Sequence, residues 1–185
     1  MKPQLGDTIL NRYTLVSSLR EEPGIQAWKA NDRVLAKDCQ LFIITDRSAF
    51  AAIDKLAGRI AATRPDRVIP ILKYRMESDV LLIVMPVDSG QCLTDYMVDT
   101  AKPLSYSAIR SIIGECADVL REVIADTPSG IVITTDTVRV TTSGVQIADA
   151  PCATMLADTS ATDLRTDGPE RYAIRQLAAL LYTLL

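Results

Sequence analysis

Residues 130–149 read GIVITTDTVRVTTSGVQIAD, and this stretch decides how the chain is expected to fold. Two short alternating runs, 137–141 and 145–148, flank Thr142, Ser143 and Gly144. Alternation on either side of a polar, glycine-containing turn predicts a β-hairpin. Upstream, Ile109, Ile112, Ile113, Cys116, Val119, Leu120 and Val123 recur at helical spacing, so a long amphipathic helix led by Ser105 precedes the hairpin. Asp149 closes the stretch, giving a helix, a hairpin and then an acid.

The chain has 185 residues, 48% of them hydrophobic, enough for one large domain or two small lobes with a real core. No apolar run is long enough to cross a membrane as a helix, and the start, MKPQLGD, lacks the apolar segment of a secretory signal. The expected location is therefore cytoplasmic. Net charge is only -3 with no basic tract, which gives nucleic-acid binding no electrostatic support. Cys39, Cys92, Cys116 and Cys152 are widely spaced and read as reduced thiols. The absence of histidine excludes His-based acid/base catalysis, Ser-His and Cys-His pairs, and His-ligated metals within this chain.

Toward the amino terminus, strands are predicted at 13–19, 25–30, 39–45, 68–74 and 80–85, with a helix over 46–63 between the third and fourth. Ser48 is the expected cap of that helix. Residues 86–91 read as a linker, 92–99 as a short helix, and 150–168 as a mobile loop rich in Thr, Asp and Ala. A final helix over 169–185 is apolar nearly all round in its second half, a pattern that calls for burial on most sides.

This order resembles that of a bacterial serine/threonine protein kinase. Asn11-Arg12-Tyr13 with Leu15-Val16 is similar to the first strand of that family, and Ala27-Trp28-Lys29-Ala30-Asn31-Asp32 to the second. Leu82-Ile83-Val84-Met85 resembles the strand entering the hinge, Leu93-Thr94-Asp95-Tyr96-Met97 the helix after it, and 177–185 the buried central helix of the large lobe. The resemblance implies an α+β, two-lobed fold: residues 1–86 as an amino-terminal lobe with a five-stranded antiparallel sheet and one helix, and 87–185 as an abbreviated helical carboxy-terminal lobe.

Phosphoryl transfer relies on positioning and charge neutralisation, so each working part has a position to inspect. The glycines of a phosphate loop fall on Arg20, Glu22 and Ile25, with Glu21 and Glu22 facing where a triphosphate would sit. The strand lysine falls on Phe42, Lys37 lies too early to replace it, and its helix partner falls near Asp54 or Lys55. Val132 stands at the catalytic base, Thr134 at the catalytic-loop lysine and Thr137 at the metal-binding asparagine, while Asp136 reads as a turn former. Asp149 alone matches its position, that of the metal-binding aspartate, and one carboxylate without its companions makes a poor magnesium site. Losing the base, the lysine and a metal ligand together costs many powers of ten in rate. The expectation is a pseudokinase, with no catalytic residue, no cofactor and no metal.

The loop at 150–168 occupies the activation-segment position and carries Thr154, Thr159, Thr162 and Thr166 as candidate phospho-acceptors. Phosphorylation adds about -2 charge and three acceptor oxygens, which suits capture by an arginine-lined module. The chain is similar here to the kinase-like domain attached to the actinobacterial peptidoglycan-precursor flippase. That likeness implies an upstream Ser/Thr kinase and a forkhead-associated (FHA) domain as partners, at the cytoplasmic face of a membrane through segments outside this chain. Two alternatives stay open: a nucleotide-binding or weakly active kinase, and a domain that binds its partner regardless of phosphate.

Overall fold

The computed structural model describes residues 3–77, 79–99, 103–126, 131–156 and 168–185. It is an α+β chain that divides into two compact units, residues 1–61 with 70–87 and residues 62–69 with 88–185.

The first unit is built on an antiparallel sheet of six strands: β1 (Thr8–Ile9), β2 (Tyr13–Glu22), β3 (Ile25–Asp32), β4 (Lys37–Ile44), β5 (Lys73–Met76) and β6 (Leu81–Pro86). Their order across the sheet is β1-β2-β3-β4-β6-β5. The sheet thus has one strand more than the expected five. β1 is only two residues long, too short for alternation to reveal, and is held because Leu15 N–H donates to Asp7 O and Gly6 N–H to Leu15 O. The expected strand at 68–74 is replaced by a shorter one shifted toward the carboxy terminus, Lys73–Met76. Val68 and Ile69 instead join the second unit, where Ile69 N–H donates to Ile147 O at 2.9 Å, and Pro70 separates the two stretches.

β4 is buried on both faces from Cys39 to Ile44, so the sheet is covered on both sides. One face gathers Tyr13, Leu15, Trp28, Ala30, Cys39, Leu41, Ile43, Leu82 and Val84 into a core. The other takes helix α1 (Phe50–Thr63), which buries Phe50, Ile53, Leu56, Ala57 and Ile60. A side chain at Gly58 of α1 would come to 3.4 Å from the Tyr74 hydroxyl on that face. The helix starts four residues later than expected, and Ser48 is not its cap. Ser48 donates its N–H and its hydroxyl to Asp46 Oδ1, at 2.9 and 2.6 Å, and so spends itself on the turn before the helix.

The acid of the Ala27–Asp32 wording is structural. Asp32 accepts Arg12 Nε and Nη2 at 2.8 and 2.6 Å, together with Val34 N–H at 3.0 Å, and so closes the β3–β4 turn against the start of β2. The Arg12 hydrogen bond outweighs desolvation and holds the Asp32 carboxyl at about 2, below the ordinary 3.8. Because the folded value is depressed, the stabilisation is present above the unfolded value and is lost as pH falls from about 4 to about 2. Asp32→Asn is expected to be less stable than the wild type at neutral pH, with the difference closing across that window. Trp28, the sole tryptophan, lies in the same unit, so urea titrations followed by its fluorescence at pH 7, 4 and 2.5 read this directly. A gap that stays constant with pH would contradict it.

The second unit contains β7 (Gln91–Cys92), helix α2 (Leu93–Asp99), helix α3 (Tyr106–Asp126), the hairpin β8 (Val138–Thr141) and β9 (Gly144–Ile147), a short helix α4 (Ala153–Leu156) and helix α5 (Pro169–Leu184). Ser105 caps α3 as expected, its hydroxyl accepting Ala108 N–H at 3.2 Å. Gln91 and Cys92, expected in a linker and a helix, form a third strand on the hairpin, pairing with Val140 and Arg139. The expected loop at 150–168 begins with α4. The expectation that α5 is buried on most sides fails: Leu180 and Leu184 are buried, while Ile174, Tyr182 and Leu185 are exposed at 66%, 85% and 81%. Among the described residues no helix is long and apolar enough to cross a membrane.

Candidate functional site

The hairpin and its flanks carry a connected set of polar contacts in the second unit. Ile131, Val132 and Ile133 approach it with buried side chains, and their backbone is held from two directions. Gln176 of α5 donates to Ile131 O at 3.1 Å and accepts Ile133 N–H at 2.6 Å. Thr137 donates its hydroxyl to Val132 O at 3.0 Å and accepts Thr134 N–H at 2.9 Å. Asp136 accepts the Thr94 hydroxyl at 2.7 Å, which ties the loop to the first turn of α2.

Arg139 of β8 is the hub. Its side chain is only 12% exposed. It pairs with Asp88, donates to the backbone carbonyl of Asp136, and reaches Asp149 Oδ2 at 3.7 Å. Burial would lower the Arg139 pKa, and Asp88 and Asp149 more than offset that. One guanidinium therefore joins residue 88, the hairpin and the start of the segment beyond it. Asp149 sits in the left-handed region at φ 60°, and its carbonyl receives Cys152 and Ala153 N–H at 2.6 and 2.8 Å. The Cys152 thiol, buried in apolar surroundings, is pushed well above its ordinary pKa and stays protonated.

A second polar centre braces the far end of the hairpin. Glu115 of α3 accepts Val145 N–H at 2.8 Å and the Ser111 hydroxyl at 3.1 Å, and pairs with Arg67. Burial alone would raise its pKa; the Val145 N–H, Ser111 and Arg67 together bring it below the ordinary value. Gly144 stands where any side chain would strike that carboxylate and the Arg67 guanidinium, in addition to its φ of 120°.

The positions that the kinase resemblance singled out fall as follows. Val132 is buried, its side chain carries no polar group, and its carbonyl is taken by Thr137. Thr137 is a buried strut whose hydroxyl is consumed within its own loop. Asp149 is brought to Arg139. In the first unit Phe42 is fully buried in β4, opposite Ala27 and Ile83. Asp54 is half-buried on α1, and Lys37 is exposed at the opposite end of β4 from Ile44. The β2–β3 ladder runs as far as Glu22 and Ile25, leaving only Pro23 and Gly24 as the connection. Proline has no N–H to offer a phosphate. The Gly24 carbonyl is tied to Thr45 and Asp46 N–H at 2.8 and 3.2 Å, and Glu21 and Glu22 line the groove beside the turn.

Thr154 lies within α4, while Thr159, Thr162 and Thr166 fall outside the described residues. Among the described residues no group of three or more Cys, Asp or Glu side chains is arranged to hold a metal, and no buried side-chain nitrogen or oxygen lacks a partner. The sequence reading missed Arg139, Gln176 and Glu115. The signal for Arg139 is a single cation inside an otherwise uncharged hairpin. A scan against models of known protein families finds no match to this chain, and a search of curated proteins finds no relative.

Proposed function

We propose that this chain is a kinase-like domain without phosphotransfer activity that works as a regulatory binding scaffold. The observation that carries the reading is the Asp149–Arg139 contact. A carboxylate already facing a guanidinium is disfavoured as a ligand for a divalent cation, because the metal would have to displace or oppose a fixed positive charge. Three further observations support it: an apolar, buried Val132, an apolar, buried Phe42, and a two-residue turn containing proline between β2 and β3. The order of elements, a six-stranded sheet with one helix followed by short helix, long helix, hairpin and apolar helix, is compatible with an abbreviated two-lobed kinase architecture. On this reading the threonines of 150–168 are targets of an upstream Ser/Thr kinase, and a forkhead-associated domain reads the phosphothreonine, with membrane attachment supplied by segments outside this chain.

The test has two arms. ATP at millimolar concentration with magnesium is expected to leave the thermal midpoint unchanged and to yield no labelled protein from radiolabelled nucleotide. A thermal shift would favour the nucleotide-binding alternative. In the second arm, the chain is treated with a bacterial Ser/Thr kinase and offered to a forkhead-associated domain; capture is expected only after treatment and is reversed by phosphatase. Capture that phosphatase does not affect would replace this reading with phosphate-independent docking.

A further inference from the structure

Helix α1 starts in the first unit and ends in the second. The boundary falls between Ala61 and Ala62, within its last turn, and the chain returns to the first unit only at Pro70. Residues 62–69 are therefore a strap that belongs to the second unit by its contacts and is joined at both ends to the first. Its path is closely specified. Arg64 takes the left-handed region at φ 48° and ends the helix. Pro65 is buried, and its carbonyl accepts Val68 N–H at 3.1 Å. Val68 and Ile69 are buried, and Val68 lies parallel to Ile147 of β9. Ile147 N–H donates to Arg67 O at 2.8 Å, and Ile147 O accepts Ile69 N–H at 2.9 Å.

The Glu115 side chain closes the arrangement. Its Oε2 receives both the Arg67 guanidinium from the strap and Val145 N–H from β9, while its Oε1 accepts the Ser111 hydroxyl. One carboxylate on α3 thus holds the strap and the hairpin at the same point. That side chain is only 23% exposed, and hydrogen bonds to an ionised acceptor are stronger than neutral ones. We propose that residues 62–69 are a latched strap through which the hairpin sets the order of helix α1. With Arg67 on Glu115, the end of α1 is anchored. When that pair opens, the strap and the last turns of α1 loosen together while the hairpin stays folded. The physical basis is the weakness of a helix end: the last turn leaves carbonyls without intrahelical partners and frays unless something outside the helix holds it. Parts of a fold that open together below the global unfolding free energy behave as one unit, and the strap makes the end of α1 part of such a unit with residues from the hairpin side.

Hydrogen exchange of the full chain, read by mass spectrometry on peptides covering 50–61, 62–69 and 138–147, tests the latch. Arg67→Gln removes the ion pair and leaves Glu115 to accept Val145 N–H and Ser111. Exchange is expected to accelerate by about threefold or more across 62–69 and near the end of α1, with 138–147 unchanged. Arg67→Lys keeps a cation opposite Glu115 and is expected to stay nearer the wild-type rate, a rescue that loss of packing alone would not give. Glu115→Gln acts from the other side of the pair and is expected to accelerate 138–147 as well, because Val145 N–H loses its charged acceptor. Gln176→Leu, in the same unit but away from the strap, is expected to leave 50–61 at its wild-type rate. Exchange in α1 that neither Arg67→Gln nor Glu115→Gln changes, or that Gln176→Leu accelerates as much as they do, overturns the proposal.

Discussion

Replacing Arg139 with methionine is expected to lower the unfolding free energy by about 3 kcal/mol. The methionine fills much of the same volume, so the loss is electrostatic. Asp88 and Asp149, with side chains only 21% and 9% exposed, would lose the guanidinium they share. The backbone carbonyl of Asp136 would lose a donor as well. Removing one partner of a buried ion network costs more than the network contributes, because the remaining charges stay desolvated. The double variant Arg139→Met with Asp149→Asn is therefore expected to be more stable than Arg139→Met alone, by about 1 kcal/mol or more. Arg139→Lys is expected to fall between, since a single ammonium cannot serve three acceptors spread around a planar fork. Chemical denaturation followed by far-ultraviolet circular dichroism measures all three. A cost below about 0.5 kcal/mol for Arg139→Met, the range of an ordinary surface change, would show that the hub is incidental.

Gln176→Leu is expected to cost a similar amount, about 2–4 kcal/mol, by leaving the Ile133 N–H and the Ile131 carbonyl buried without partners. Leucine is close in size, so the effect isolates the two hydrogen bonds. The signature is local as well as global: amide exchange at Ile133 is expected to accelerate more than exchange in the first unit, because α5 would no longer clamp that backbone. Unchanged protection at Ile133 would mean that packing of the apolar 131–133 run holds it without help.

Both residues show where sequence reading runs out. An arginine in an alternating strand reads as solvent-facing, since successive side chains point to opposite faces. Whether the polar face meets water or an acid from elsewhere depends on what the chain brings there. Here it is Asp88, 51 positions away in sequence. Gln176 is hidden for the same reason: it interrupts the apolar side of α5 and would be scored as a flaw in the pattern, yet its amide matches one donor and one acceptor on a backbone 43 and 45 positions away. The exposed apolar side of α5 is the converse case, because hydrophobicity states a preference for burial and not which neighbour supplies it.

The sequence by itself determined the local elements. Alternation and Gly144 specified the hairpin, the 109–123 spacing specified α3, and Ser105 specified its start, because each depends on neighbours within a few residues. It also determined the chemistry of Phe42, Val132 and Thr137, whose side chains carry neither a carboxylate nor a cation. Only the tertiary structure decided that β1 joins the sheet, that Val68 and Ile69 pair with Ile147, and that Gln91 and Cys92 add a strand to the hairpin. It alone paired Asp149 with Arg139. These are long-range contacts between segments with weak local preference, and their stability comes from partners that local sequence does not specify.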